Sequence, residues 1–182
     1  MRDCNLDWRE QLMMWAMHIA QKLRLSDFSP FKARTCLLTD YFGGLERVEA
    51  VRQIFGERTE DVLRGLRVEF TWMRGYMRVS NVDGHLIVSS HYMNNGDRID
   101  IYLDLIHELV HVKQFMEGRE LFDSHFSYAE RPTEVQAYRR AVKEARRLGL
   151  SDDRICRYLR TEWMSDESLR ELAKALNVKC ST

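Results

Sequence analysis

His107-Glu108-Leu109-Val110-His111 sets two imidazoles and a carboxylate at a spacing that can do metal chemistry. On a helix, positions i and i+4 lie one above the other on the same face. His107 and His111 can therefore aim at one ion, and Glu108 can reach a water beside it. Two neutral imidazoles, a carboxylate and an open coordination position are what a hydrolytic zinc site requires.

The pattern needs a helix, and the flanking residues supply one. Asp97-Arg98-Ile99-Asp100 opens the segment with an N-cap signature, and Gly118 closes it. Between them Ile101, Leu105, Ile106, Leu109, Val112 and Met116 recur at helical spacing. Leu109 and Val110, inside the motif, suit a helix set in a core rather than one with a solvated face.

Catalytic zinc takes a third protein ligand, with water in the fourth position. A third histidine six positions after His111 would fall on residue 117, which is Glu117. The next histidine, His125, lies in a loop-like stretch. Glu134 is the better candidate. Pro132 suits the first position of a helix, which places Glu134 in the first turn, where a carboxylate also suits the helix dipole. Ala137 shares its face and lets that helix approach the motif helix closely. Glu134 as a simple capping acid is the bland alternative, and Glu130 and Glu117 are weaker ligand candidates.

The combination of His107-Glu108-x-x-His111 with Glu134-x-x-Ala137 resembles the gluzincin clan of zinc metallopeptidases, and its small soluble minigluzincin-like forms most. The resemblance covers about residues 66–148. It implies His107, His111 and Glu134 as ligands to one Zn2+, Glu108 as general base, and a zincin-like fold. It also implies an edge strand just before the motif helix that binds extended peptide by strand addition. The matched stretch is His85–Tyr92, with Leu86, Ile87, Val88, Ser89 and Ser90 as the substrate-strand candidates. Some members carry an Asp four residues after the ligand Glu, in support of the first His; here that residue is Tyr138. His91, His125, Tyr128 and Tyr138 are candidates to steady an oxyanion or support a ligand.

Composition narrows the function classes. The chain has 182 residues, 45% of them hydrophobic, which fits one domain with helical additions. Its 28 basic and 28 acidic residues give no net charge, which argues against a protein held to nucleic acid by bulk charge. The basic run from Arg139 to Arg147 reads as the solvated face of the Glu134 helix. Cys4, Cys36, Cys156 and Cys180 are scattered without a C-x-x-C pair, a spacing that fits a reducing cytoplasm. No targeting or membrane-spanning stretch is evident. Cys180 in the tail could in principle reach the metal and make the enzyme latent; a frayed terminus is the plainer expectation.

These readings predict an α+β chain in three parts. Residues 1–65 are helical, with a first helix over 7–24 and shorter ones over 45–55 and 59–63; residues 25–43 read as turns. Residues 66–148 hold an antiparallel meander of about three strands (66–72, 76–80, 85–92) packed on the motif helix, then the Glu134 helix. Residues 149–182 add helices capped by Ser151 and Ser165. The expected activity is zinc metalloendopeptidase, with a peptide or protein as substrate and no nucleic-acid or membrane partner. The alternatives are a regulatory or sensor module with narrow or no general proteolysis, and a deformylase-type hydrolase with Cys36 as third ligand.

Overall fold

A computed structural model describes residues 34–180, so the expected 7–24 helix lies outside the described residues. The architecture is α+β, a four-stranded mixed sheet with helices. Strand β1 (Arg34–Leu37) is followed by the short helix α1 (Leu38–Tyr41), a 3-10 turn, helix α2 (Glu49–Phe55), a second 3-10 turn and helix α3 (Thr59–Gly65). Strands β2 (Arg67–Thr71), β3 (Met77–Val79) and β4 (Leu86–Ser89) come next, then helices α4 (Ser90–Asn95) and α5 (Arg98–Met116). Helices α6 (Pro132–Arg147), α7 (Asp152–Leu159) and α8 (Asp166–Ala175) complete the fold.

The sheet departs from the expected meander. Its order is β1-β2-β4-β3, with β2 and β4 parallel and the other two pairings antiparallel. Residues 72–76 explain the difference. The step to a strand two places away is roughly 10 Å, and a five-residue link can span it. The chain therefore passes over to β3, and β4 returns between β2 and β3. The link between β3 and β4 is a tight hairpin, closed by Ser80 N–H donating to the His85 carbonyl at 2.8 Å. Gly84 in this turn has φ +75°, and a Cβ there would collide with the Phe115 ring of α5. The hairpin thus sits directly on the motif helix.

Two other sheet expectations are corrected. Arg34–Leu37, inside the stretch read as turns, is a strand because it pairs antiparallel with Arg67–Phe70; its own four residues carry little strand signal. The third strand stops at Ser89 rather than running to Tyr92. The Ser89 hydroxyl accepts the Tyr92 N–H and so caps α4, turning the chain out of the sheet.

Helix α5 starts at Asp97, whose carboxylate accepts the N–H groups of Ile99 and Asp100. It is buried around most of its circumference, as its mixed apolar sequence implies. It packs on β3 and along α6. On α6, Ala137, Ala141 and Ala145 are wholly buried, and this small-residue face lets the two helices come close. Tyr102 of α5 donates its hydroxyl to the buried Glu144 of α6 at 2.5 Å, and Arg147 clamps the same carboxylate through two bonds of 2.7 Å. Arg154 of α7 bridges Asp97 and Asp100 at the start of α5. Cys156 of α7 and Cys180 form a disulfide. Cys180 is thereby spoken for, and it does not line the cavity beside His107 and His111. The expectation of a reducing compartment rests on the scattered spacing of the cysteines, which does not exclude a bridge between distant ones. Among the described residues no helix is long and apolar enough to cross a membrane.

Candidate metal centre

His107 and His111 lie on one face of α5, and Glu134 comes from the first turn of α6. Pro132 stands at the start of α6 as its sequence position implies. The three side chains converge. His107 Nε2 and His111 Nε2 are 2.9 Å apart, and Glu134 Oε2 is 3.2 Å from the first and 3.5 Å from the second. All three residues are buried, at 5%, 5% and 6% exposure. Bonds of 2.0–2.1 Å to a tetrahedral zinc put ligand atoms roughly 3.3 Å apart. The three separations bracket that edge, and Glu134 Oε2 has no hydrogen-bond partner among the described residues. The group could hold a metal ion.

The surroundings set the ligands' protonation. Gln114, one turn beyond His111, is held by its amide N–H groups to the Thr133 carbonyl at 3.1 Å and to Gln136 Oε1 at 2.9 Å. Its Oε1 therefore faces His111 Nδ1 at 2.7 Å and accepts that N–H, which turns Nε2 toward the triad. Among the described residues His107 Nδ1 has no hydrogen-bond partner; Tyr138 packs its ring against His107 instead, with centroids 4.3 Å apart. Burial pulls the His107 pKa down. Burial does the same to His111, but Glu134 and Glu108 outweigh it and raise His111 to about 9. Glu134 is drawn well below the carboxylate range: burial opposes this, and the two imidazoles win. Glu108 is pushed up to about 8, by burial first and against the pull of His111. Its Oε2 is buried without a hydrogen-bond partner among the described residues. Leaving such an oxygen unpaired costs about 1–3 kcal/mol, a cost a fold tolerates where the atom has another task.

The triad opens into a cavity of about 390 Å³. One wall is the run Gly75 to Val79, which contains β3. Another is made by α7 and the residues after it, including Tyr158, Thr161 and Trp163. Tyr128 and Tyr138 line it too and share a hydrogen bond of 2.9 Å; burial raises both phenols above their ordinary range, so both stay protonated. Asp104, three positions before His107, lies on the same side, where burial lifts its carboxyl to about 7.

Several sequence candidates fall elsewhere. His91 is exposed on α4 and contacts Asn95, and His125 is exposed and paired with Asp123 at 2.7 Å; neither lines the cavity. Glu117 and Glu130 are exposed and absent from the cavity wall. Cys36 sits on β1 with its thiol facing the Val68 carbonyl, so a Cys36 ligand is excluded. The substrate-strand assignment needs correction. Leu86–Ser89 is an inner strand with both edges paired, and Ser90 begins α4. The edge beside the metal residues belongs to β3. Sequence reasoning missed Gln114 and Asp104, although each stands three positions from a motif histidine and so shares its helix face. No protein-family profile, curated protein or solved structure matches the chain.

Proposed function

We propose that this chain is a zinc-dependent peptidase with a zincin-like fold, built on His107, His111 and Glu134 with Glu108 as general base. The observation that carries the reading is the convergence of three buried ligands beside a buried, unpartnered Glu108 oxygen at the head of an open cavity. Zinc is the metal that a His-His-Glu set with tetrahedral spacing fits best, and when bound it supplies a Lewis acid and a more acidic water.

The chain's own residues account for the rest. Glu108 takes a proton from the attacking water and passes it to the leaving amine. Burial raises Glu108 to about 8, so the carboxylate that this step needs grows as pH rises, and the carboxyl then formed holds the proton until the amine leaves. The Tyr128–Tyr138 hydroxyl pair offers the cavity a donor to a developing oxyanion. Among the described residues strand β3 pairs with β4 on one side only, and its other edge is the one suited to receive an extended peptide by strand addition. A purely structural metal site would leave Glu108 without a task.

The test is a peptide library incubated with metal-loaded protein and its Glu108→Gln variant. Wild type should cleave several sequences. The variant should retain a full equivalent of zinc and lose at least a thousandfold in kcat/KM. Unchanged turnover in Glu108→Gln would sink the mechanism, and no cleavage by the wild type would favour a dedicated or regulatory module.

A further inference from the structure

The cavity holds a second polar cluster, one helical turn before the metal residues. Asp104 precedes His107 on the same face of α5 and lines the cavity with Tyr92, Tyr158 and Thr161. Tyr92 donates its hydroxyl to Asp104 Oδ2 at 2.6 Å. The Tyr158 hydroxyl interacts with Asp104 but makes no hydrogen bond of acceptable geometry, although Tyr158 is only 8% exposed. Thr161 Oγ1 is also buried, with no hydrogen-bond partner among the described residues. Asp104, the Tyr158 hydroxyl and Thr161 Oγ1 thus all bring accepting capacity to the cavity wall, the first two side by side at one corner.

The charges around that corner leave Asp104 without a counterion. Asp100 is taken by Arg154 at 2.6 Å, and Arg160 by Asp166 at 2.6 Å. Among the described residues no lysine or arginine pairs with Asp104, and the charge that acts on it is another carboxylate, Asp100. Arg78 and Arg157 also line the cavity, but both are exposed, where solvent and salt screen them. A carboxylate in the desolvated corner acts more strongly on a bound group than they do. The walls there are aromatic. Tyr76, Tyr138 and Tyr158 can cover an aliphatic stem and present ring faces to a cation.

We propose that this corner is a specificity subsite in which Asp104 receives the cationic side chain, lysine or arginine, of the residue adjoining the bond to be cut. The proposal rests on the peptidase reading. An ammonium or guanidinium there donates to the carboxylate and to the Tyr158 and Thr161 oxygens, and supplies the missing counterion. Asp104 is here a specificity residue: it touches the substrate, not the reacting atoms.

The experiment has a binding arm and a cleavage arm, both on the full metal-loaded chain and its Asp104→Asn variant, with fold and metal content checked first. In the first, n-butylammonium, n-butylguanidinium and neutral n-butanol are titrated by NMR. The two cations should bind wild type at least tenfold more tightly than the alcohol, and Asp104→Asn should abolish the difference. Equal binding of the three, or a preference that survives Asp104→Asn, overturns the subsite even if peptides are cut. In the second, peptides with lysine or arginine beside the scissile bond should be cleaved at least tenfold faster than those with leucine, and Asp104→Asn should level the rates while cleavage of the leucine peptide persists. Preference for apolar residues in wild type overturns the assignment. So does a preference that vanishes when the peptide N-terminus is acetylated, which would place the α-amine at Asp104. Asp104-dependent cation binding with no cleavage of any peptide would instead sink the peptidase reading and leave a cation site.

Discussion

His111 and His107 are chemically alike and structurally unequal. His111 has its Nδ1 hydrogen fixed by Gln114, whose own amide is anchored twice on α6, while His107 Nδ1 has no hydrogen-bond partner among the described residues and the Tyr138 ring packs against His107. Gln114→Ala should therefore free the His111 ring and weaken metal binding about 10- to 100-fold, read by competition with a chromophoric chelator. A change of less than twofold would show that Gln114 is incidental. The ligands' protonation gives a second expectation. His111 is raised to about 9, so at neutral pH it carries a proton that must leave before its nitrogen can ligate. Affinity should accordingly fall as pH drops below that value, by about tenfold per pH unit for each proton displaced. Calorimetry in buffers of different ionisation heats should show protons released on binding; their absence at pH 7 would contradict the raised His111.

The α5–α6 pair turns these side chains into a site. The two helices can meet at one point because Ala137, Ala141 and Ala145 offer no bulk, and the Tyr102–Glu144–Arg147 cluster holds them together farther along. Ala137 is the sharpest place to test this, one turn from Glu134 and wholly buried. Ala137→Leu should cost about 1–3 kcal/mol by overpacking and also lower metal affinity, because it pushes Glu134 away from the histidines. Urea unfolding with a metal titration checks both; stability lost with affinity intact would mean that the helices repack without moving the ligands. These helices were legible in the sequence because each carries its own boundaries, in Asp97, Pro132, Ser151 and Ser165. The sheet was less so. Strand order depends on where the 72–76 link lands, and nothing local in those residues says that β4 will enter between β2 and β3. The same gap misassigned the substrate edge to Leu86–Ser90. Gln114 and Asp104 escaped for a different reason: their roles come from partners on α6, α4 and α7 that a single helix cannot reveal.

At the scale of the whole molecule, the metal residues and the cavity wall have separate supports. The triad stands on α5 and α6, whereas Tyr158, Thr161 and Trp163 belong to α7 and the residues just after it. Helix α7 is held to α5 by Arg154 and to the end of the chain by the Cys156–Cys180 bridge, which closes a loop of sequence separation 24. Chain-entropy reasoning assigns a loop of that length about 3 kcal/mol of stabilisation, and for a chain of this size that is a shift in Tm of about 6–12 °C. Reductant, or Cys180→Ala without reductant, should lower Tm by that amount while the full metal equivalent remains bound, since no ligand rides on α7 or α8. Binding of groups to the Asp104 corner should weaken at the same time, because Tyr158 lies two residues from Cys156 and loses part of its anchorage. Thermal unfolding, zinc content and butylammonium titration on one set of samples separate the two supports. Loss of zinc together with the bridge would show that α7 and α8 help to hold the ligands in place, and an unchanged Tm would show that the bridge contributes nothing to the folded state.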